Sequence, residues 1–98
     1  MLPGLIQKMF KKEDKITEAR RQEILLKIKP IIAKELGIKE ENITLEAKIE
    51  EDLGADSLDA IEVIMDLEEA FNIEIMDEDT EKMKTIDDIV RYLTARLI

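Results

Sequence analysis

The sequence predicts an all-α bundle of three main helices plus one short helix, with a long first loop. Three observations predict it. Apolar residues recur at helical spacing in three separate segments. No strand-like alternation runs long enough to build a sheet. The helical segments are bounded by residues that stop or cap helices. A chain of 98 residues suits one small domain with a modest core.

The first helix is expected from about Thr17 to Leu36. Its apolar positions Ile24, Leu25, Ile28, Ile31, Ile32 and Leu36 form one stripe, and Gly37 is a C-terminal stop. Pro30 lies inside the stripe, so a kink or break is expected near Ile28. A long connection follows, from Ile38 to Asp56, and Ile43, Leu45, Ile49 and Leu53 should pin it to the core. The second helix is expected from about Ser57 to Phe71, with Asn72 to Ile75 as an extended link. A short helix is expected from Asp77 to Met83. Thr85, with Asp88 three residues on, should cap the last helix. The buried face of that helix should be Ile86, Ile89, Val90, Leu93 and Leu97.

Placing residues of the second helix 100° apart puts Asp59, Glu62, Asp66 and Glu69 in one stripe. Ala60, Ile61, Ile64, Leu67 and Phe71 fall on the opposite, core-facing side, with Val63 on the flank. Leu58 and Met65 fall beside the acidic stripe. Apolar anchors among acids on an exposed face suit a protein-binding surface better than a solvated one.

Composition removes several function classes. The chain has no histidine and no cysteine, so the usual general base, the commonest metal ligand and any thiolate chemistry are missing. A net charge of −9 and 3% aromatic residues argue against nucleic acid and for basic partners. Fourteen acids and no Lys or Arg lie between Glu50 and Glu81. Asp77, Asp79 and Glu81 alternate, but Lys82 and Asp88 occupy the sixth and twelfth positions of a calcium loop begun at Asp77, so no specific metal site is expected. No apolar run is long enough for a transmembrane helix. The segment MLPGLIQKMFKK lacks the parts of a secretory signal. Residues 1–22 are expected to be a flexible or helical extension, with membrane-surface contact the lesser alternative. Residues 23–98 form the main domain.

Ser57 opens the acidic helix, and no sequence neighbour suits it as a base. The nearest lysines in sequence are Lys48 and Lys82. Neither Gly-x-Ser-x-Gly nor Ser-x-x-Lys is present at this serine. A catalytic serine is therefore set aside. Two readings stay open on the residues alone. Asp56 or Ser57 caps the helix, or Ser57 is acted upon, with a phosphate ester held against the free N–H groups of the helix start.

The run Leu53-Gly54-Ala55-Asp56-Ser57-Leu58-Asp59, followed by Glu62 and Leu67-Glu68-Glu69-Ala70-Phe71, closely resembles the acyl carrier proteins of dissociated (type II) fatty acid synthesis. Leu36-Gly37, Glu51-Asp52-Leu53 and Glu74-Ile75 extend the resemblance over roughly Glu23 to Leu97. Met76 and Pro30 depart from the family pattern, and Met1 to Gln22 have no counterpart in it. The resemblance implies an acyl-carrier-like bundle and a 4′-phosphopantetheine arm on Ser57, installed from coenzyme A by a phosphopantetheinyl transferase. The arm's thiol would hold acyl groups as thioesters and deliver them to fatty acid synthesis enzymes with basic docking patches. It places Asp56 beside the transferase's metal-assisted site. It matches Leu58, Asp59, Glu62, Met65 and Glu69 to a docking face, which Asp66 joins from the acidic stripe. It matches Ile75 to the acyl pocket, for which Ile61, Ile64 and Phe71 are further expected walls. A non-enzymatic, cytoplasmic, monomeric carrier without stable membrane insertion is the expectation. A carrier for polyketide, amino acid or cell-wall acyl transfer, and an unmodified acidic docking module, are the alternatives.

Overall fold

The computed structural model describes residues 2–97, and side chains from Glu18 onward. Four α-helices follow in order: α1, Leu2–Leu36; α2, Ser57–Phe71; α3, Asp77–Thr80; and α4, Ile86–Leu97. A single 3₁₀ turn, Glu40–Asn42, lies in the long first loop. α1 packs against both α2 and α4.

α1 begins well before the expected Thr17, so its backbone runs unbroken across the expected boundary between the extension and the domain. It also passes through Pro30 without the expected break. Proline leaves the carbonyl four residues earlier, that of Leu26, without its usual donor. Pro30 and Leu26 are both exposed, so water can take that role. The opposite side of the same turns carries the load, since Ile24, Ile28 and Ile32 are buried. At the C-terminus, Gly37 has a φ of 66°, and the Ile38 N–H reaches back to the Ala33 carbonyl at 3.0 Å. This five-residue return bond closes the helix.

The long loop is fastened by burial and by hydrogen bonds. Ile43, Ala47, Ile49, Leu53 and Ala55 all lie in the core. The loop also pairs with the segment before α4: the Ile49 N–H donates to the Lys84 carbonyl at 2.9 Å, and the Ile86 N–H to the Ala47 carbonyl at 3.0 Å. This contact forms one isolated antiparallel bridge, Lys48 with Thr85, which the sequence pattern did not announce.

α4 is capped as expected. The Asp88 N–H donates to Thr85 Oγ1 at 3.1 Å, and Asp88 Oδ2 accepts from the Thr85 and Lys84 N–H groups at 3.1 and 3.0 Å. Burial alone pushes the Asp88 carboxyl up, but these donors more than offset it and hold it below the usual carboxylate range. Ile86, Ile89, Val90 and Leu93 are buried, and Leu97 is half-buried. α3 stops at Thr80 rather than Met83, because the chain tightens into three-residue turns there: the Lys82 and Met83 N–H groups bond to the Asp79 and Thr80 carbonyls.

Candidate functional site at the start of α2

The segment before α2 is a set of nested turns. The Lys48 N–H donates to Asp52 Oδ2 at 2.8 Å, and the Asp52 and Leu53 N–H groups return to the Lys48 carbonyl. The Ala55 N–H bonds to the Ile49 carbonyl at 3.2 Å. Leu53 and Ala55 point into the core, so Gly54 between them faces outward. Its φ of 74° suits glycine, and a Cβ built there meets nothing within 4 Å. The approach to the next residues is therefore open.

The cap is assigned to Asp56. Its Oδ1 accepts from the Asp59 N–H at 2.8 Å, and Asp59 Oδ2 accepts from the Asp56 N–H at 3.2 Å. This reciprocal box satisfies the helix start without using the Ser57 side chain. Ser57 is the first helical residue and is exposed. The box thus leaves a solvent-facing hydroxyl at the positive end of a fifteen-residue helix.

Ser57 stands on the rim of a cavity of about 260 Å³ between α2 and the α3–α4 segment. Ile49, Ile61, Ile64 and Met83 provide apolar lining, while Glu50, Glu81 and Lys84 supply charge. Of the expected acyl-pocket residues, Ile61 and Ile64 line this cavity. Ile75 and Phe71 do not: Ile75 is buried in the core, and Phe71 is half-buried against it. Ile49 and Met83 complete the apolar lining of the cavity. Neither was legible as a wall, because each reaches the cavity only through the pairing of the long loop with the segment before α4. Lys84 lines the same cavity as Ser57, whereas Lys48 and Lys82, the lysines named from the sequence, do not.

α2 is turned slightly from its expected orientation. Val63, placed on the flank, is 1% exposed, whereas Ile61, placed in the core, is 52% exposed. α1 packs against α2 and Val63 belongs to the core, while the exposed Ile61 lines the cavity beside Ser57. Leu58 (63% exposed) and Met65 (59%) fall on the outer face with Ile61, at spacings of three and four. Asp59, Glu62 and Asp66 are half-buried beside them, and Glu69 is exposed. The outer face is therefore more apolar than the helical angles alone suggest.

The acidic stripe also meets α1, which the sequence reading missed. Glu35 comes from α1 to face Asp66 and Glu62, and with Lys34, Ile31, Glu69 and Ala70 it borders an α1–α2 groove. A proton shared first with Asp66 and then with Glu62 pushes the Glu35 carboxyl up to about 7. Only helix packing brings these carboxylates together, since Glu35 is remote from them in sequence. A raised folded-state pKa means that stability from this group is complete below about pH 4.5 and is lost as pH rises through about 7. The melting temperature should therefore fall between pH 5 and 8 in part through Glu35. Glu35→Gln, whose amide donates a hydrogen bond at every pH, should flatten that portion of the profile. Parallel profiles for the two proteins would show that no proton is shared.

The link beyond α2 is held by polar contacts. Asn72 adopts a left-handed conformation with φ 54°, ending α2 rather than continuing as extended chain. Glu68 Oε2 accepts from the Ile75 N–H at 2.8 Å. From α4, Tyr92 donates its hydroxyl hydrogen to Asp79 Oδ2 at 2.9 Å, and Arg96 donates to the Glu74 carbonyl at 3.0 Å. Burial, and the hydrogen bond to Asp79, push the Tyr92 phenol up.

Among the described residues, no group of three or more His, Cys, Asp or Glu could hold a metal ion. Among the described residues, no helix is long and apolar enough to cross a membrane.

A family profile described as a phosphopantetheine attachment site matches residues 27–93. The chain is 47% identical over 79 residues to an acyl carrier protein of Thermotoga maritima, an alignment covering 81% of this chain and 98% of that protein. A solved acyl carrier protein structure from Enterococcus faecalis superposes with a TM-score of 0.65 at 37% identity, covering 78% of this chain and 96% of that one. The matched profile spans the capped serine, the acidic helix and the cavity beside it, and the relative is matched over nearly its whole length: the chain belongs to the acyl carrier protein family.

Proposed function

We propose that this chain carries acyl groups for fatty acid synthesis from Ser57, by way of a covalently attached 4′-phosphopantetheine. The observation behind this reading is the exposed Ser57 hydroxyl, left out of the capping box and set on the rim of an apolar-lined cavity. The residues present fit the group. Ser57 offers the attachment oxygen, the first N–H groups of α2 and the Lys84 ammonium suit a phosphodiester, and Gly54 leaves the approach open. When bound, the arm supplies the thiol that this cysteine-free chain lacks, and so the site for thioester chemistry.

The chain's own residues present, orient and shelter. Asp56 and Asp59 fix the helix start and so the position of the Ser57 hydroxyl. Ile49, Ile61, Ile64 and Met83 offer the acyl chain a dry wall. Leu58, Ile61 and Met65 form apolar anchors beside Asp59, Glu62, Asp66 and Glu69, a combination suited to a basic, partly apolar patch on a transferase or a synthesis enzyme. The chain itself is read as a carrier that catalyses nothing and works in the cytoplasm.

The test is intact mass. Incubation with coenzyme A, Mg²⁺ and an active phosphopantetheinyl transferase should add one phosphopantetheine to the chain, and peptide mapping should place it on Ser57. An unchanged mass would end the carrier reading. Docking has its own test. Glu62→Lys should slow acyl transfer at low salt, with the difference shrinking as salt is added. Its melting temperature should not drop, because the new cation faces Glu35. Partner kinetics identical to wild type at low salt would make the stripe a solvated face only.

A further inference from the structure

We propose that Tyr92 and Arg96 are positioning residues that hold α3 closed against the cavity beside Ser57, and so set how well an acyl chain is retained there. Retention rests on the carrier reading; the hold on α3 does not. α3 has little else to keep it in place. None of its residues is buried, and its N-cap, Met76, makes no side-chain cap. Its first turn carries Asp77, Glu78 and Asp79. Among the described residues, no ion pair reaches these acids. The chain enters the core only on either side of α3, at Ile75 and Met83.

α4 supplies the hold through one connected series of polar contacts. Tyr92 and Arg96 stand one helical turn apart and share a face of α4. One guanidinium nitrogen of Arg96 donates to the Glu74 carbonyl at 3.0 Å and to the Tyr92 hydroxyl at 2.6 Å. The guanidinium also lies 5.6 Å from the centre of the Tyr92 ring. The Tyr92 hydroxyl donates onward to Asp79 Oδ2 at 2.9 Å. The pair thus grips the chain on both sides of the Met76 cap, at Glu74 before it and at Asp79 after it. A hydroxyl bonded to a carboxylate is held more strongly than one bonded to a neutral acceptor. The Arg96 cation polarises that hydroxyl and makes it a better donor.

The grip bears on the cavity because the next stretch of chain is the cavity wall. Thr80 directly follows Asp79 and lines the cavity, as do Glu81, Met83 and Lys84, while Ser57, Ala60, Ile61 and Ile64 line it from α2. Thr80 Oγ1 donates to the Met76 carbonyl at 3.2 Å, so this part of the wall moves with α3. Tyr92, Arg96 and Asp79 do not line the cavity themselves. They act on an acyl chain only through the position of α3. A segment with no buried residue opens at little cost, so one lost contact changes how often it opens.

Hydrogen exchange of the full, unmodified chain tests the hold. The N–H groups of Asp79 to Met83 bond back into the α3 segment. Tyr92→Phe and Arg96→Gln should each speed their exchange about tenfold, while the α1 amides at Ile28 and Ile32 stay as protected as in the wild type. Asp79→Asn keeps an acceptor and should retain most of the protection, whereas Asp79→Ala should lose it. Tyr92 is the one tyrosine of a chain without tryptophan, so absorbance reads its phenol directly. Burial and the Asp79 bond hold that phenol above its ordinary range, so Asp79→Ala should lower its titration midpoint. Retention is read on the loaded chain. Tyr92→Phe should lose a medium-chain thioester to hydroxylamine faster than the wild type, while an acetyl group, too short to be sheltered, is released equally from both. Equal α3 exchange in wild type and Tyr92→Phe, or faster exchange spread evenly over the chain, would overturn the hold. Faster α3 exchange with unchanged medium-chain release would overturn its link to retention. A wild type that takes up no arm would end the carrier reading, and retention with it, while exchange still decides the hold.

Discussion

Ser57→Ala should lose phosphopantetheine attachment, and all acyl transfer that depends on it, while folding and melting as the wild type does. The two properties separate because two neighbouring residues divide the work. Asp56 makes the cap through its side chain, and Asp59 completes it. Ser57 is exposed and contributes no bond to that box. Removing its hydroxyl should therefore change stability by no more than about 0.5 kcal/mol. Asp56→Ala should behave in the opposite sense. It leaves the Asp59 N–H without its acceptor and should cost about 0.5–2 kcal/mol, or several degrees in melting temperature for a domain of this size. Intact mass after transferase treatment, and a thermal melt of each variant, decide the matter. A Ser57→Ala protein that still gains the full mass, or that melts several degrees lower, would contradict this division.

Ile64→Ala should produce the largest loss of stability tied to the site, about 2–5 kcal/mol. That is a large share of the ~5–15 kcal/mol that holds a typical domain together. Ile64 belongs to the core, at 8% exposed, and also lines the cavity beside Ser57. The void left by truncation adjoins the space proposed for the acyl chain. Each methylene moved there from water contributes about 0.8 kcal/mol, less the cost of ordering the chain. A medium-chain acyl form of the wild type should therefore melt higher than the form with a free arm. In Ile64→Ala the chain can also fill the void, so acylation should raise the melting temperature by more than it does in the wild type. Ile75→Ala should cost core stability yet leave the acyl effect unchanged, since Ile75 is buried away from the cavity lining. Calorimetry of the free-arm and acyl forms of the three proteins provides the measurement. Equal melting of the two forms in all three would place the acyl chain outside the bundle.

The sequence by itself determined the core-packing helical stretches and singled out the proposed attachment serine, because those features are written in short-range signals. The 3.6-residue period marks the core stripes of α1, α2 and α4. Gly37 marks the end of α1, and the Thr85–Asp88 pair marks the start of α4. The Asp-Ser-Leu-Asp run at 56–59 marks the start of α2 and singles out Ser57. Each depends on residues within about one helical turn of one another, so no tertiary knowledge is needed.

Tertiary packing decided the rest. Asp56 and Ser57 were equivalent candidates for the cap until side-chain geometry gave the role to Asp56. Val63 is buried and Ile61 exposed because neighbouring elements decide which side of α2 is covered, and an angular projection of a single helix does not contain them. Pro30 could stay within α1 because the carbonyl it frees lies on an exposed side. The cavity walls Ile49 and Met83 come from segments that meet only when the long loop pairs with the chain before α4. Glu35 joins the acidic stripe across a helix–helix contact, and no local pattern points to it. Helix propensity and capping are local free energies, legible in a few consecutive residues. Burial and carboxylate sharing depend on which surfaces meet, and only the packed chain determines that.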